Sequence, residues 1–94
     1  MATLSEVKIA LRVSNTALDS EISDLMAAAR QDLILSGVLP AKANSTTDSL
    51  IKRAVVTYVK AHFGWDNPEA ERFLSAYVML KQHLTLSQEY TVEG

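Results

Sequence analysis

The sequence predicts an all-α fold: a compact bundle of three main helices plus a short N-terminal helix, with an extended polar C-terminal tail. Three observations carry that expectation. Apolar residues recur at helical spacing in four segments, and no segment sustains the alternation of a strand. Only three glycines and two prolines interrupt 94 residues that are 48% hydrophobic, which leaves room for few irregular stretches. Between Lys60 and Glu71, a helix stop and a helix start are pressed together around the only tryptophan, Trp65.

In chain order, Thr3 and Glu6 have capping-box spacing, and Leu4, Val7 and Leu11 share a face, so a short helix is expected over residues 5–11. Ser14, Asn15 and Thr16 offer caps to a second helix over 16–36, whose stripe is Leu18, Ile22, Leu25, Met26, Ala29 and Leu33. Gly37 ends it, and Pro40 forbids simple continuation. Residues 37–48 then read as the one long connection, with Ala41 to Thr47 its polar and mobile part. Asp48 or Thr47 caps a third helix over 49–63, with Leu50, Ile51, Ala54, Val55, Tyr58 and His62 on its core side and Lys52, Arg53 and Lys60 on the other.

The corner that follows is specified by local chemistry. Gly64 can take the left-handed conformation that closes a helix, which lets Trp65 fold back on Val59 as a hydrophobic clasp. Lys60 and His62 complement the negative helix end. The residue before a proline avoids helical angles, so Asn67 is the better cap and Pro68 the first helical residue. A fourth helix over 68–86 carries Ala70, Phe73, Tyr77, Leu80 and Leu84 on one stripe, and residues 87–94 form the tail.

Ninety-four residues make a single domain, 1–94, large enough to bury roughly 60 to 65% of its unfolded surface. Cysteine is absent, which excludes thiolate chemistry and cysteine metal sites. The start Met1-Ala2-Thr3-Leu4-Ser5-Glu6 has no apolar signal region, and no run approaches the ~20 apolar residues of a membrane span, so a soluble chain not exported by the general route is expected. Nine basic against eleven acidic residues give a net charge of −2, a poor balance for a dedicated duplex-DNA binder. His62 and His83 lack ligand spacing, and there is no Gly-rich phosphate loop, nucleophile elbow or apolar carboxylate pair. No metal, cofactor or catalytic residue is therefore expected, and the chain does not read as an enzyme.

Two features exceed what a monomer needs. Ile34 and Leu35 lie off the main stripe of their helix, and Val78, Met79 and Leu86 spill off theirs; they either pack locally or form a subunit interface. A folded chain of this mass exposes about 5,400 Å², and two ring neighbours at roughly 800 Å² each would cover about 30% of it. Glu21, Asp24 and Asp32 also flank the second helix, while Lys52, Arg53 and Lys60 form a basic stripe on the third. Complementary faces suit a head-to-tail ring, and solvated faces that aid solubility are the alternative.

Thr-Leu-Ser-Glu-Val-Lys-Ile-Ala-Leu-Arg-Val at the start, Ile22 through Ala-Ala-Ala-Arg30, the run from Ile51 to Phe73 through His-Phe-Gly-Trp-Asp-Asn-Pro-Glu, and Leu-Lys-Gln-His-Leu-Thr-Leu-Ser-Gln-Glu-Tyr near the end together form a recognisable order. From Thr3 to about Tyr90 the chain resembles the small head-tail connector, or adaptor, proteins of long-tailed bacteriophages and prophages, often described as DNA-packaging proteins. Leu39 to Thr47 has no counterpart in that pattern. The resemblance implies a structural virion protein, made in the bacterial host cytoplasm, that forms a ring under the portal at the neck once DNA is packaged. The ring, dodecameric on the portal, extends the DNA channel and meets the next neck, stopper or tail-completion protein. It also implies portal contact by the C-terminal segment, here Leu86, Ser87, Gln88, Glu89, Tyr90, Thr91 and Val92, and at most non-specific contact with channel DNA. A small helical DNA-binding regulator is the alternative function.

Overall fold

The computed structural model describes residues 4–13, 16–63 and 68–91, and within them the chain forms six helices and no strand. The helices are α1 (Leu4–Leu11), α2 (Asp19–Leu35), α3 (Pro40–Ala43), α4 (Ser49–His62), α5 (Ala70–Leu86) and α6 (Gln88–Thr91). Helix α4 is the centre of the bundle, packed against α5 on one side and α2 on another, with α1 lying across α2 and α4. The core joins Val7 of α1, Ile22, Met26, Ala29 and Leu33 of α2, Ile51, Ala54, Val55 and Val59 of α4, and Tyr77 and Leu84 of α5.

Helix α1 ends with Arg12 at φ 61°. The N–H groups of Arg12 and Val13 return to the carbonyls of Ile9 and Lys8, a left-handed closure made without glycine. Helix α2 begins at Asp19, three residues later than expected: Leu18 holds the cap position without a side-chain hydrogen bond. Ser14 and Asn15, two of its expected caps, and Thr3, the expected cap of α1, lie outside the described residues. At the other end of α2, Gly37 (φ 116°) donates to Ile34 O and Val38 donates to Leu33 O, each at 3.0 Å, and this closure turns Val38 into the core beside Leu33.

The expected polar loop over 37–48 is instead a structured connection. Pro40, which stops α2 from continuing, serves as the first residue of α3, where its missing N–H costs nothing. Val38 and Ala43 are buried, so two small apolar residues anchor the segment. Ser45 Oγ accepts from the N–H groups of Thr47 and Asp48, and Asp48 Oδ1 caps α4 by accepting from Leu50 N (2.9 Å) and Ile51 N (3.1 Å).

The tail departs from expectation too. Residues 88–91 are helical rather than extended, because Tyr90 is an apolar anchor within a polar stretch: its ring is buried and its backbone O accepts from Leu39 N at 2.8 Å. Helix α5 starts at Ala70, after a turn at Pro68 and Glu69. Gly64, Trp65 and Asn67 of the expected corner lie outside the described residues.

Candidate functional site

The buried face of α4 differs from its expected stripe on both flanks and in the terminal turns. Val59 and Ala61 are buried, whereas Leu50 and His62 are exposed. By their spacing Leu50, Arg53, Thr57 and Lys60 line up at i, i+3, i+7 and i+10 along another side of the helix. That side is the floor of a groove of about 1,090 Å³ between α1, α4 and α5. Ile9 of α1 and Phe73, Met79 and Leu80 of α5 supply its apolar walls, and Lys52, Arg53, Lys60 and His83 its basic rim. Ile9 is 76% exposed, Met79 60% and Leu50 45%, values that an isolated bundle gains nothing from.

Four of the expected interface residues, Lys52, Arg53, Lys60 and Met79, thus meet at one surface. The others do not. Val78 is exposed on α5 outside the groove, and Leu35 is exposed at the end of α2. Ile34 packs partly against the core and borders a smaller, 450 Å³ pocket with Met26 and Arg30. Desolvation there pulls the Arg30 pKa below its ordinary value. Glu21 and Asp24 are exposed on α2 and form no ion pair among the described residues. Ile9 and Leu50 were missed as surface residues. Ile9 sits off the Leu4–Val7–Leu11 face, a signal readable in the sequence, whereas Leu50 has the spacing of a core residue.

Several charges serve the subunit itself. Lys52 Nζ lies 2.7 Å from Glu6 Oε2, tying α4 to α1, and that hydrogen bond raises the lysine pKa. Lys8 pairs with Asp19 at 2.7 Å. Asp32 Oδ2 accepts from the Tyr77 hydroxyl at 2.6 Å and from Lys81 Nζ at 3.1 Å, which clamps α2 to α5. Burial alone would raise the Asp32 carboxyl, but those two hydrogen bonds, with the charges of Lys81 and His62, outweigh it and hold the pKa below the ordinary value. Burial and the same partner push Tyr77 upward. Tyr58 meets the Tyr77 ring edge-on and lies tilted against His62, with ring centres 4.3 Å apart, while Lys60 Nζ lies 5.5 Å from the centre of the Phe73 ring.

Among the expected tail-contact residues, Leu86 is 85% exposed, and Gln88 and Glu89 face solvent. Ser87 is half-buried at the α5–α6 junction, where its carbonyl accepts from Tyr90 N and Thr91 Oγ1. Tyr90 is turned inward, its hydroxyl donating to the Asp48 carboxylate at 2.9 and 3.1 Å. Val92 lies outside the described residues. Among the described residues no three acidic, histidine or cysteine side chains cluster as metal ligands, and no helix is long and apolar enough to cross a membrane. The groove thus presents apolar side chains beside Lys52, Arg53, Lys60 and His83, with Glu6 also at its edge.

A family model described as phage connector protein matches residues 3–91. No curated protein and no solved structure matches the chain.

Proposed function

The chain belongs to the phage connector protein family, and on that premise we propose that copies of it form a ring under the portal after genome packaging, lengthen the DNA channel and join the capsid to the neck and tail. The observation that carries this reading is the exposed apolar groove of α1, α4 and α5. A bundle with its own complete core leaves Ile9, Met79 and Leu50 in water only at a cost that a neighbour's surface removes. The chain exposes 5891 Å², so two neighbours at roughly 800 Å² each would cover about a quarter of it and leave ample surface for other partners.

Those partners are the portal on one side and the next neck, stopper or tail-completion protein on the other, at the head-tail junction of the virion. Portal contact falls to the solvent-facing part of the C-terminal segment, Leu86, Gln88 and Glu89, together with Val92 beyond it. Tyr90 acts within the subunit. The rival reading, a small DNA-binding regulator, would draw on the basic rim, yet Lys52 is already bridged to Glu6.

Removal of the gene from the phage tests the proposal. DNA-filled heads and separate tails should accumulate, and adding purified protein to the lysate should restore joined particles. Normal joining without the chain would refute it.

A further inference from the structure

Helix α2 has an outward ridge that no other described residue covers: Asp24, Ala28, Gln31 and Leu35, at i, i+4, i+7 and i+11, are all exposed on the side away from Ile22, Met26, Ala29 and Leu33. Its middle is small at Ala28, its C-terminal end is apolar at Leu35, and its N-terminal half is acidic at Glu21 and Asp24. The α1–α4–α5 groove has the opposite character: its walls of Ile9, Phe73, Met79 and Leu80 are apolar, and along it Lys52, Arg53, Lys60 and His83 outnumber the one acidic residue, Glu6. Helix α2 carries four acidic residues against one arginine, whereas α4 carries three basic residues and no acidic one. Of the acidic residues on α2, Asp19 and Asp32 are consumed by Lys8 and Lys81, so Glu21 and Asp24 are the ones turned outward.

We propose that the groove receives the α2 ridge of a second copy of this chain, with Ala28 opposite Met79 and with Glu21 and Asp24 against the Arg53 side of the rim. This rests on the ring reading above and assigns the surfaces that close the ring. The lengths agree: at 1.5 Å per residue, the 17 residues of α2 span about 25 Å and the 14 residues of α4 about 21 Å. An alanine at the centre of the ridge lets the helix approach closely, and burial of Leu50, Met79 and Ile9 drives the contact. The ridge and the groove are different surfaces, so each copy donates to one neighbour and receives from the other. Such a heterologous contact closes into a ring when the rotation allows.

The absence of cysteine makes this directly testable. Full-length Ala28→Cys and Met79→Cys variants, each checked for helicity and melting temperature, are oxidised mildly alone and mixed; Gln31→Cys with Leu50→Cys provides a second pair. The expected result is a covalent heterodimer from the mixture, formed several-fold faster than either variant links to itself, and a ladder from the variant carrying both cysteines. Mixed linkage no faster than self-linkage, for both pairs, overturns the assignment. If the wild-type chain then still assembles as a ring on the portal, only the choice of surfaces falls; if it stays monomeric there, the ring reading falls with it.

Discussion

Asp48 holds two parts of the chain at once. Its carboxylate caps α4 and accepts from the Tyr90 hydroxyl, so the start of α4 and helix α6 share a single charge. Burial would raise this carboxyl, but the Ile51 N–H, the Tyr90 hydroxyl, the Leu50 N–H and the charge of Lys42 hold its pKa below the ordinary value. A depressed carboxyl contributes stability that is complete above the unfolded pKa of about 3.9 and is lost as pH falls through the folded value. Tyr90 behaves in the opposite sense. Burial, then its bond to and the charge of Asp48, push it up to about 12, so its contribution is complete below the unfolded value of about 10 and lost as pH rises through the folded one. Thermal melts across pH should therefore show Tyr90→Phe losing part of the alkaline destabilisation between about pH 10 and 12. Asp48→Asn, which still caps, should lose part of the acid limb. Unchanged profiles in both variants would remove the Asp48–Tyr90 pair from the stability of the fold. At Gly37 the φ of 116° is closed to a side chain even though the space for a Cβ is empty, so Gly37→Ala should cost about 1 to 3 kcal/mol in denaturant unfolding. Loss of under a few tenths would show that the connection to α3 relaxes.

At the scale of elements, what was legible in the sequence depended on how many residues shared a signal. The stripes of α2 and α5 carried repeated apolar positions, and their core residues Ile22, Met26, Ala29, Leu33, Tyr77 and Leu84 are buried where the period puts them. Helices α3 and α6 have four residues each, too few for a period to show. They form because single long-range anchors, Ala43 and Tyr90, find the core, and no local pattern announces that. The wider buried face of α4 had the same cause: Val59 and Ala61, on its two flanks, are buried through α4's place between α2 and α5, a tertiary fact. Charges were legible as a pattern but not as pairs. The separation of 46 positions between Glu6 and Lys52 is invisible until the helices pack, and this matters for mutagenesis. Arg53→Glu alone should weaken self-association in sedimentation while leaving the melting temperature near the parent's. Lys52→Glu should lower the melting temperature as well, because it faces Glu6. Equal melting temperatures would mean that the Lys52–Glu6 bridge contributes nothing. Deleting residues after Ser87 removes α6, so it should cost about 3 kcal/mol or more, comparable to deleting a buried aromatic. Portal binding is better probed by Leu86→Ser and Glu89→Lys, which touch exposed positions.

For the whole molecule, the bundle closes one core and leaves outside it surfaces that the core does not use. The core closes around α4, the clamps at Asp32 and Asp48 fix α5 and α6 against it, and the apolar groove and the acidic α2 ridge remain outside. That division suits a part repeated around an axis, where each copy must hold its shape while its edges meet others. The most direct measurement is the mass and symmetry of the complex formed when the purified chain is added to the portal of its own phage, by native mass spectrometry and electron microscopy. A ring with one chain per portal subunit, twelve on a dodecameric portal, is the predicted result. A single bound copy, or no binding at concentrations that saturate a neck assembly, would contradict it.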